Sequence, residues 1–334
     1  MTGRIDSIVY FRAVTILLIV AGHSFELAGI RRSSFVDLGL VNLLKGNTGL
    51  FVFISGFLLH HVYGSRFVYK EFIVRRFTRI FIPYFFLTAL AQFLFSPAQS
   101  GLSEVEEFKG NILFGSTFQA YWYVPFILAT FLITPLHRSF AEQKGPFQVV
   151  LIAVFMIVAM VIQRPIENLN VLQSLLFFTP AYLVGIFIAV HRLRVFPFLQ
   201  AAKFYLVAAV VAIISIQAAL GQSDNLHNAL FRWQGIELMV LQKPLLSLML
   251  ISLFTGWTIN KRSLPNLIAE TSLAIFLIHP FVLKYLGWSR MFQITGMQWI
   301  NLCFVVISVT AISMIIALGL RFILGKRSKY FTGY

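Results

Sequence analysis

Long, uninterrupted apolar runs constrain the fold of this chain more than any other feature. Each run is about 18 to 24 residues long, the length that a helix needs to cross the hydrocarbon core of a bilayer. The runs are continuous instead of alternating, so the strands of a membrane barrel do not fit them. Only 12% of the residues are charged, which is about half the share in a soluble domain. The sequence therefore predicts an all-α, polytopic integral membrane helical bundle.

About ten transmembrane helices are expected from these runs. A cleaved signal peptide is an alternative for the first one, because its apolar core is short and Val20-Ala21-Gly22 is a weak cleavage site. Apolar and small residues continue to Ile30, which favours a span. No repeat or linker divides the sequence, so residues 1–334 are predicted to form a single membrane domain. The expected spans cover residues 8–30, 42–63, 80–97, 119–137, 147–163, 173–190, 202–220, 236–258, 267–287 and 298–322.

Lysine and arginine are unevenly distributed between the connections. With the amino terminus inside, 17 of the 27 basic residues fall in inner connections and 7 in outer ones. Positively charged connections usually stay in the cytoplasm, so both termini are predicted to be cytoplasmic. The net charge of +15 could suggest a nucleic-acid partner, but the basic residues lie between apolar spans, where topology signals belong. No nucleic-acid partner is therefore expected.

The first apolar run contains two ionisable residues, Arg12 and His23. Ionisable side chains at membrane depth are costly and usually face a protein interior or a water-filled cavity. Eleven helical steps return to nearly the same face, so both side chains should point the same way, about 16 Å apart along the axis. This arrangement of a cation and a proton-transfer group is typical of a functional site.

Chemical roles and structural explanations both exist for this pair. A neutral imidazole can accept a proton from a hydroxyl near neutral pH, which makes His23 a candidate general base. Glu26 follows three residues later and could orient the ring on a helix. Arg12 could bind an anion or stabilise an oxyanion. The structural alternatives are that Arg12 reaches towards the cytoplasmic interface, and that His23 and Glu26 simply lie near the outer membrane surface.

A basic segment joins the second and third spans on the predicted inner side and carries Arg75, Arg76 and Arg79. One interpretation is a helix along the interface that contributes to topology and binds anionic lipids. The other is capture of a phosphate-rich cytoplasmic ligand, such as coenzyme A or a nucleotide. In either case the arginines alternate with the apolar residues Phe72, Phe77 and Ile80.

Further histidines within the expected spans include His60, His61 and His279. His60 and His61 are adjacent, so they project in different directions on a helix, and no third ligand is evident. No metal site is therefore predicted. His279 precedes Pro280 inside an apolar run, where a kink stabilised by polar neighbours is expected.

Other positions are expected to serve packing. Gly49 and Gly56 share a helical face and should let two helices approach closely. The aromatic residues at 121–123 are typical of an interfacial belt. Glu237 and Lys243 are costly polar residues in the eighth run, but their spacing of six does not place them on one face, so a direct ion pair is not expected.

The order of these motifs resembles the membrane acyltransferase family 3. The resemblance covers essentially the whole chain. It is closest to single-domain members that O-acetylate surface polysaccharides or lipid-linked glycans. It rests on Arg12 and His23 with ten residues between them, on residues 49–58 and 72–83, on residues 121–123 with Pro135, and on residues 272–280.

The resemblance implies a multi-pass O-acyltransferase of the cell inner (plasma) membrane. Such an enzyme takes an acyl group, usually acetyl, from cytoplasmic acyl-CoA, and its partners are that donor, a glycan or lipid-linked saccharide acceptor and the membrane lipids. Acetyl-CoA is thus the implied co-substrate. Arg12 and His23 match the essential pair of the family, and Arg75, Arg76 and Arg79 match the basic residues where the nucleotide end of the donor is expected.

Two positions depart from the family pattern. Many members have an acidic residue three positions before the arginine, where this chain has Val9, and Asp6 lies six positions before it. A tyrosine is common where Phe276 stands, so no hydroxyl is available there.

The sequence thus predicts that His23 deprotonates the acceptor hydroxyl or relays the acyl group covalently. Arg75, Arg76 and Arg79 are predicted to hold the donor phosphates. An alternative from another class is a transporter or flippase for a glycan lipid or small solute, because polar residues within spans also serve transport. No matching pair of interrupted spans in two halves supports that alternative.

Overall fold

The computed structural model describes residues 4–64, 67–95, 104–166, 170–230, 232, 234–289 and 296–334. Helices account for nearly all of its regular structure, which confirms the all-α class predicted from the sequence. The α-helices are α1 (Asp6–His23), α2 (Phe25–Ala28), α3 (Phe35–Leu44), α4 (Thr48–Tyr63), α5 (Tyr69–Arg76), α6 (Ile82–Phe95), α7 (Glu104–Phe114), α8 (Tyr123–Leu132), α9 (Thr134–Ala141), α10 (Gly145–Ile162), α11 (Val171–Val190), α12 (Arg192–Ala201), α13 (Lys203–Ala219), α14 (Met239–Phe254), α15 (Leu264–Ser289), α16 (Gln298–Leu324) and α17 (Lys329–Thr332).

Short elements of other types interrupt the helices. A π-helical turn, Phe77–Phe81, joins α5 to α6, and a 3₁₀ turn, Gly325–Ser328, joins α16 to α17. The strands β1 (Arg164–Pro165) and β2 (His227–Asn228) pair in parallel, with Arg164 opposite His227.

Seven segments of the described chain are long and apolar enough to cross a membrane, or nine if each of two bent helix pairs forms one span. A shorter apolar helix, α14, coincides with the span expected at 236–258. The expected span at 80–97 ends at Phe95 in α6, and positions 96 and 97 lie outside the described residues. A multi-pass membrane protein is thus confirmed, while the count of ten and the cytoplasmic termini stay predictions. The seven segments are Asp6–His23, Phe35–Tyr63, Tyr69–Phe95, Gly145–Ile162, Val171–Val190, Leu264–Gly287 and Gln298–Thr332.

The chain divides into two compact units. Unit 1 comprises Met1–Gly22, Arg32–Tyr69 and Ile133–Ala269. Unit 2 comprises His23–Arg31, Lys70–Leu132 and Glu270–Tyr334. Each unit therefore gathers segments that are distant in sequence.

The core of unit 1 is built around the contact between α4 and α11. Phe53 and Phe57 of α4 are fully buried there, together with Leu50 and Ile251. Glycines allow the two backbones to approach: a Cβ added at Gly56 would overlap the carbonyl oxygen of Tyr182. This confirms the close approach predicted for Gly56.

Gly185 of α11 has the same role from the opposite side of the α4–α11 contact, since a Cβ there would overlap the carbonyl oxygen of Phe53. Gly49 instead faces α14, where its Cβ would lie 3.3 Å from Cβ of Lys243. The two glycines of the sequence motif thus serve contacts with different helices.

We predict that Gly185→Ala lowers the thermal stability of the purified protein in detergent. The added methyl group would collide with backbone, and such overpacking typically costs about 1–3 kcal/mol. Gly319→Ala in α16 is the matched control, because no atom lies within 4 Å of its added Cβ. Equal melting temperatures for both variants would contradict the packing role of Gly185.

Candidate active site

His23 is the last residue of α1, and its side chain is half-buried. The helix is continuous from Asp6, so Arg12 and His23 lie on one helix, as the sequence predicts. Arg12 belongs to the part of α1 assigned to unit 1 and is also half-buried. His23 is the first residue of unit 2.

Glu26 does not occupy the position expected of a partner for the imidazole. The chain leaves the helix at Ser24, and Glu26 lies in the separate one-turn helix α2, which ends at the left-handed Gly29. The Glu26 side chain is exposed, and among the described residues it makes no hydrogen bond or ion pair. The expectation that Glu26 orients the His23 ring is not met, because it required an unbroken helix through both residues.

The imidazole of His23 instead contacts a second imidazole, that of His279 in α15. Their ring centroids are 5.3 Å apart, and the ring planes are inclined by 47°. His279 is fully buried. Two groups capable of proton transfer therefore lie side by side, 256 positions apart in the sequence.

A backbone hydrogen bond fixes the tautomer of His279. Its Nδ1 lies 3.1 Å from the carbonyl oxygen of Ile275, one helical turn earlier, and a carbonyl can only accept. Nδ1 is therefore the protonated nitrogen, and Nε2 carries a lone pair. In the described part of the chain this buried Nε2 has no hydrogen-bond partner. It can accept a proton or a hydrogen bond from a neighbouring group.

Aromatic side chains surround the segment of α15 that carries His279. Phe276 packs against His279 with ring centroids 5.9 Å apart, and Tyr123 packs against Phe276 at 5.3 Å. The hydroxyl of Tyr121 donates to the carbonyl oxygen of Leu277 over 2.7 Å, three residues before Pro280. A polar neighbour beside Pro280, expected from the sequence, is thus present.

The aromatic segment at 121–123 is a correction to the sequence analysis. Tyr121, Trp122 and Tyr123 are all buried, with exposed fractions of 0, 7 and 8%. They are part of the core of unit 2, where Tyr121 packs edge-on against Tyr84 at 5.5 Å. An interfacial belt is therefore the wrong interpretation, because composition alone cannot distinguish lipid contact from packing around another helix.

The three arginines of the basic segment have different environments. Arg75 is exposed and pairs with Glu71, one turn earlier, over 3.1 Å. Arg76 is half-buried, and its guanidinium lies between the rings of Phe72 and Phe131, 5.2 and 5.1 Å from their centroids. Arg79 is exposed and makes no side-chain hydrogen bond or ion pair with the described residues. Of these three arginines, Arg79 is thus the one most available to a dissolved anion.

The basic segment is also more continuous than the sequence suggests. α5, the π-helical turn and α6 form one span candidate, Tyr69–Phe95, instead of a separate helix along the interface. Phe72 and Ile80 are buried, but Phe77 is exposed, so the apolar residues do not share one buried face. The π turn accounts for this, since it changes the helical register between them.

The other polar residues named from the sequence lie in unit 1. Arg192 lies 2.6 Å from Nδ1 of His61, so that nitrogen accepts a hydrogen bond. The described residues contain no cluster of three or more histidine, cysteine or acidic side chains that could bind a metal ion. Glu237 precedes α14 and accepts from the backbone N–H groups of Leu226 and Met239, and it forms no ion pair with Lys243.

The contact between His23 and His279 is the feature that sequence reasoning missed. No spacing rule predicts a contact between side chains so far apart in the chain. The one available signal was the presence of both histidines among the ordered motifs of the same family resemblance.

Comparison with known proteins agrees with that resemblance. The chain has no significant match among curated proteins or among solved structures. The family model described as an acyltransferase domain, that of acyltransferase family 3, matches residues 5–318 and thus nearly the whole chain. The chain therefore belongs to the membrane acyltransferase family 3.

Proposed function

We propose that this protein is an O-acyltransferase of the cell inner membrane that moves an acyl group, acetyl in the simplest case, from cytoplasmic acyl-CoA to a hydroxyl of a surface polysaccharide or lipid-linked glycan. The observation that carries the proposal is the half-buried imidazole of His23, in contact with the buried imidazole of His279, in a chain of an acyltransferase family. The family match favours acyl transfer over the transporter alternative.

In the direct route, Nε2 or Nδ1 of His23 removes the proton of the acceptor hydroxyl. The oxygen attacks the thioester carbonyl, a C–O bond forms, and the C–S bond breaks. The departing thiolate takes the proton from the imidazolium, so that His23 returns to its starting state and coenzyme A leaves as the thiol. Arg12 has the role of binding an anionic part of a substrate or of stabilising the oxyanion.

In the covalent route, a nitrogen of neutral His23 attacks the thioester, the C–S bond breaks, and the acyl group stays on the ring as an acyl-imidazole. The ring proton of His23 leaves with the thiolate, so coenzyme A departs as the thiol. The acceptor hydroxyl then attacks the acyl-imidazole and breaks its C–N bond. This route requires a second base, and the lone pair on Nε2 of the buried His279 can receive the acceptor proton through one bridging water and return it to the imidazolate of His23. Rapid mixing with labelled acyl-CoA distinguishes the routes, because only the covalent one gives a burst of labelled enzyme.

The donor is proposed to bind through its phosphates at Arg75, Arg76 and Arg79. Charge-assisted hydrogen bonds between guanidinium and phosphate are strong and directional. The packing of Arg76 between two phenylalanine rings favours a positioning role for this arginine. Arg79, which is exposed, is the best candidate for direct phosphate contact. Glu26 is exposed and lies three residues after His23, so its proposed role is restricted to substrate contact.

We expect His23→Ala to lower acyl transfer by about 10²- to 10⁴-fold, which is the usual contribution of a general base. The variant should remain folded, because the His23 side chain is only half-buried. The measurement is transfer of labelled acetyl from acetyl-CoA to glycan in membranes, with the melting temperature as the folding control. Full activity of His23→Ala would refute the assignment.

His279→Phe should lower kcat by at least about 10-fold while the KM for acyl-CoA changes little. Phenylalanine preserves a buried ring in contact with Phe276 but removes the acceptor at Nε2. The split between kcat and KM separates a role in proton transfer from a general loss of folded enzyme. If kcat is unchanged in a variant with wild-type stability, His279 serves packing only.

Arg79→Ala should raise the KM for acyl-CoA by about 10-fold, the value of one charge-assisted hydrogen bond to a phosphate, with less effect on kcat. Arg194→Ala is the matched control, because Arg194 is also exposed but lies on α12 in unit 1. Steady-state kinetics at two salt concentrations check this, since added salt should weaken donor binding by the wild type more than by Arg79→Ala. Equal effects of both substitutions would place the phosphates elsewhere.

A further inference from the structure

Unit 1 contains a small pocket that the proposed reaction does not use. It lies between α4, α11 and α14 and has about 300 Å³ of empty space, its open mouth included. Its wall is mostly apolar, with Phe177 and Phe178 on one side. The polar side chains that line it are Asn225 and Lys243.

Lys243 is a buried cation that lacks a carboxylate partner. It is 4% exposed, and its Nζ donates to the carbonyl oxygens of Asn42 and Leu43 over 2.8 and 3.3 Å. These carbonyls end α3, so the negative end of the helix dipole partly stabilises the ammonium. No carboxylate of the described residues lies within ion-pair distance of Nζ, and one N–H of the ammonium remains available beyond these two bonds.

Asn225 and Lys243 converge on the same point of the pocket. A Cβ placed on Gly46 would lie 3.1 Å from Nδ2 of Asn225 and 3.1 Å from Cε of Lys243. Gly46 has a φ of +69° and no side chain, and with Sδ of Met239 only 2.9 Å from the same Cβ position, these atoms pack closely around it. The amide of Asn225 and the end of the Lys243 side chain are thus neighbours in the pocket wall, and an N–H donor next to an ammonium is an arrangement suited to an oxyanion.

The charges around the pocket are biased towards positive. Lys45 pairs with Asp224 over 3.6 Å, and Asp224 also accepts from the side chain of Asn225. Arg164 lies over the ring of Phe178, 5.8 Å from its centroid. The acidic side chains of this region are Asp224 and Glu237, and Glu237 accepts from the backbone N–H groups of Leu226 and Met239. Three basic side chains, Lys45, Arg164 and Lys243, therefore stand against two acidic ones.

We propose that this pocket binds a single oxyanion, a phosphate or carboxylate, whose charge is paired with Lys243 and whose oxygen accepts from Asn225. The apolar wall suits the carrier of that group, either the chain of a lipid phosphate or the ring face of an acidic sugar. The proposal goes beyond acyl transfer and does not depend on it, because binding requires no acyl donor.

The test is binding to the full chain in lipid nanodiscs without acyl-CoA, followed by thermal stabilisation and by native mass spectrometry. The probes are a polyprenyl monophosphate, inorganic phosphate and glucuronate, with the uncharged polyprenol as the reference. Binding of the polyprenyl phosphate alone identifies a lipid as the carrier, binding of glucuronate identifies an acidic glycan, and binding of inorganic phosphate alone identifies the free ion.

Two substitutions test the site itself. Lys243→Met removes the cation and should weaken binding of the oxyanion by at least about 10-fold, but it also removes the bonds to the end of α3 and can impair folding. Asn225→Leu keeps the side-chain volume and adds no charge but removes the amide donor, so it should weaken binding of the oxyanion by about 10-fold, the value of one hydrogen bond to a charged group. Asn260→Leu, in an exposed loop of unit 1, is the matched control.

The proposal is overturned if no oxyanion probe binds more tightly than polyprenol. It is equally overturned if Lys243→Met and Asn225→Leu both bind the probes like the wild type, in which case Lys243 only caps α3. Neither result bears on His23, because acyl transfer is measured separately with labelled donor.

Discussion

The hydrogen bond from Nδ1 of His279 to the carbonyl of Ile275 is the interaction on which the candidate active site depends. A buried imidazole in an apolar interior requires a partner, and a helix offers its own carbonyl one turn earlier. Because this bond uses the only proton of the neutral ring, the other nitrogen is left as an acceptor. The same bond thus lowers the cost of burial and determines which chemistry the residue can perform.

Lys243 in unit 1 obeys the same constraint in a different form. It too is buried in an apolar bundle, and it too is satisfied by backbone carbonyls, those that end α3. A histidine satisfied at one nitrogen keeps an acceptor, whereas an ammonium satisfied by two carbonyls keeps a positive charge and a donor. The two buried groups are therefore suited to opposite partners: a proton donor at His279 and an oxyanion at Lys243.

The sequence predicts what depends on local periodicity and fails where the chain bends or where distant segments meet. The helical class and the position of Arg12 and His23 on one helix follow from an unbroken apolar run. The expected contact between Glu26 and His23 depended on a helix that continues through both residues. Because α1 ends at His23 and the chain bends at Ser24, the two side chains are not neighbours on one helical face. The contact with His279 could not be predicted, because it joins the end of the first helix to a helix 256 positions later.

Unequal exposure divides the roles of the two histidines. A residue that receives an acyl group or removes a proton from a substrate must be reachable, and His23 is half-buried at a helix end. A residue that accepts a proton from another side chain has no such need and is more effective when water is excluded, because electrostatic interactions are stronger in a low dielectric. His279 is fully buried and fits that second role. In the direct route the proton therefore moves from the substrate to His23, which can pass it to the buried ring of His279.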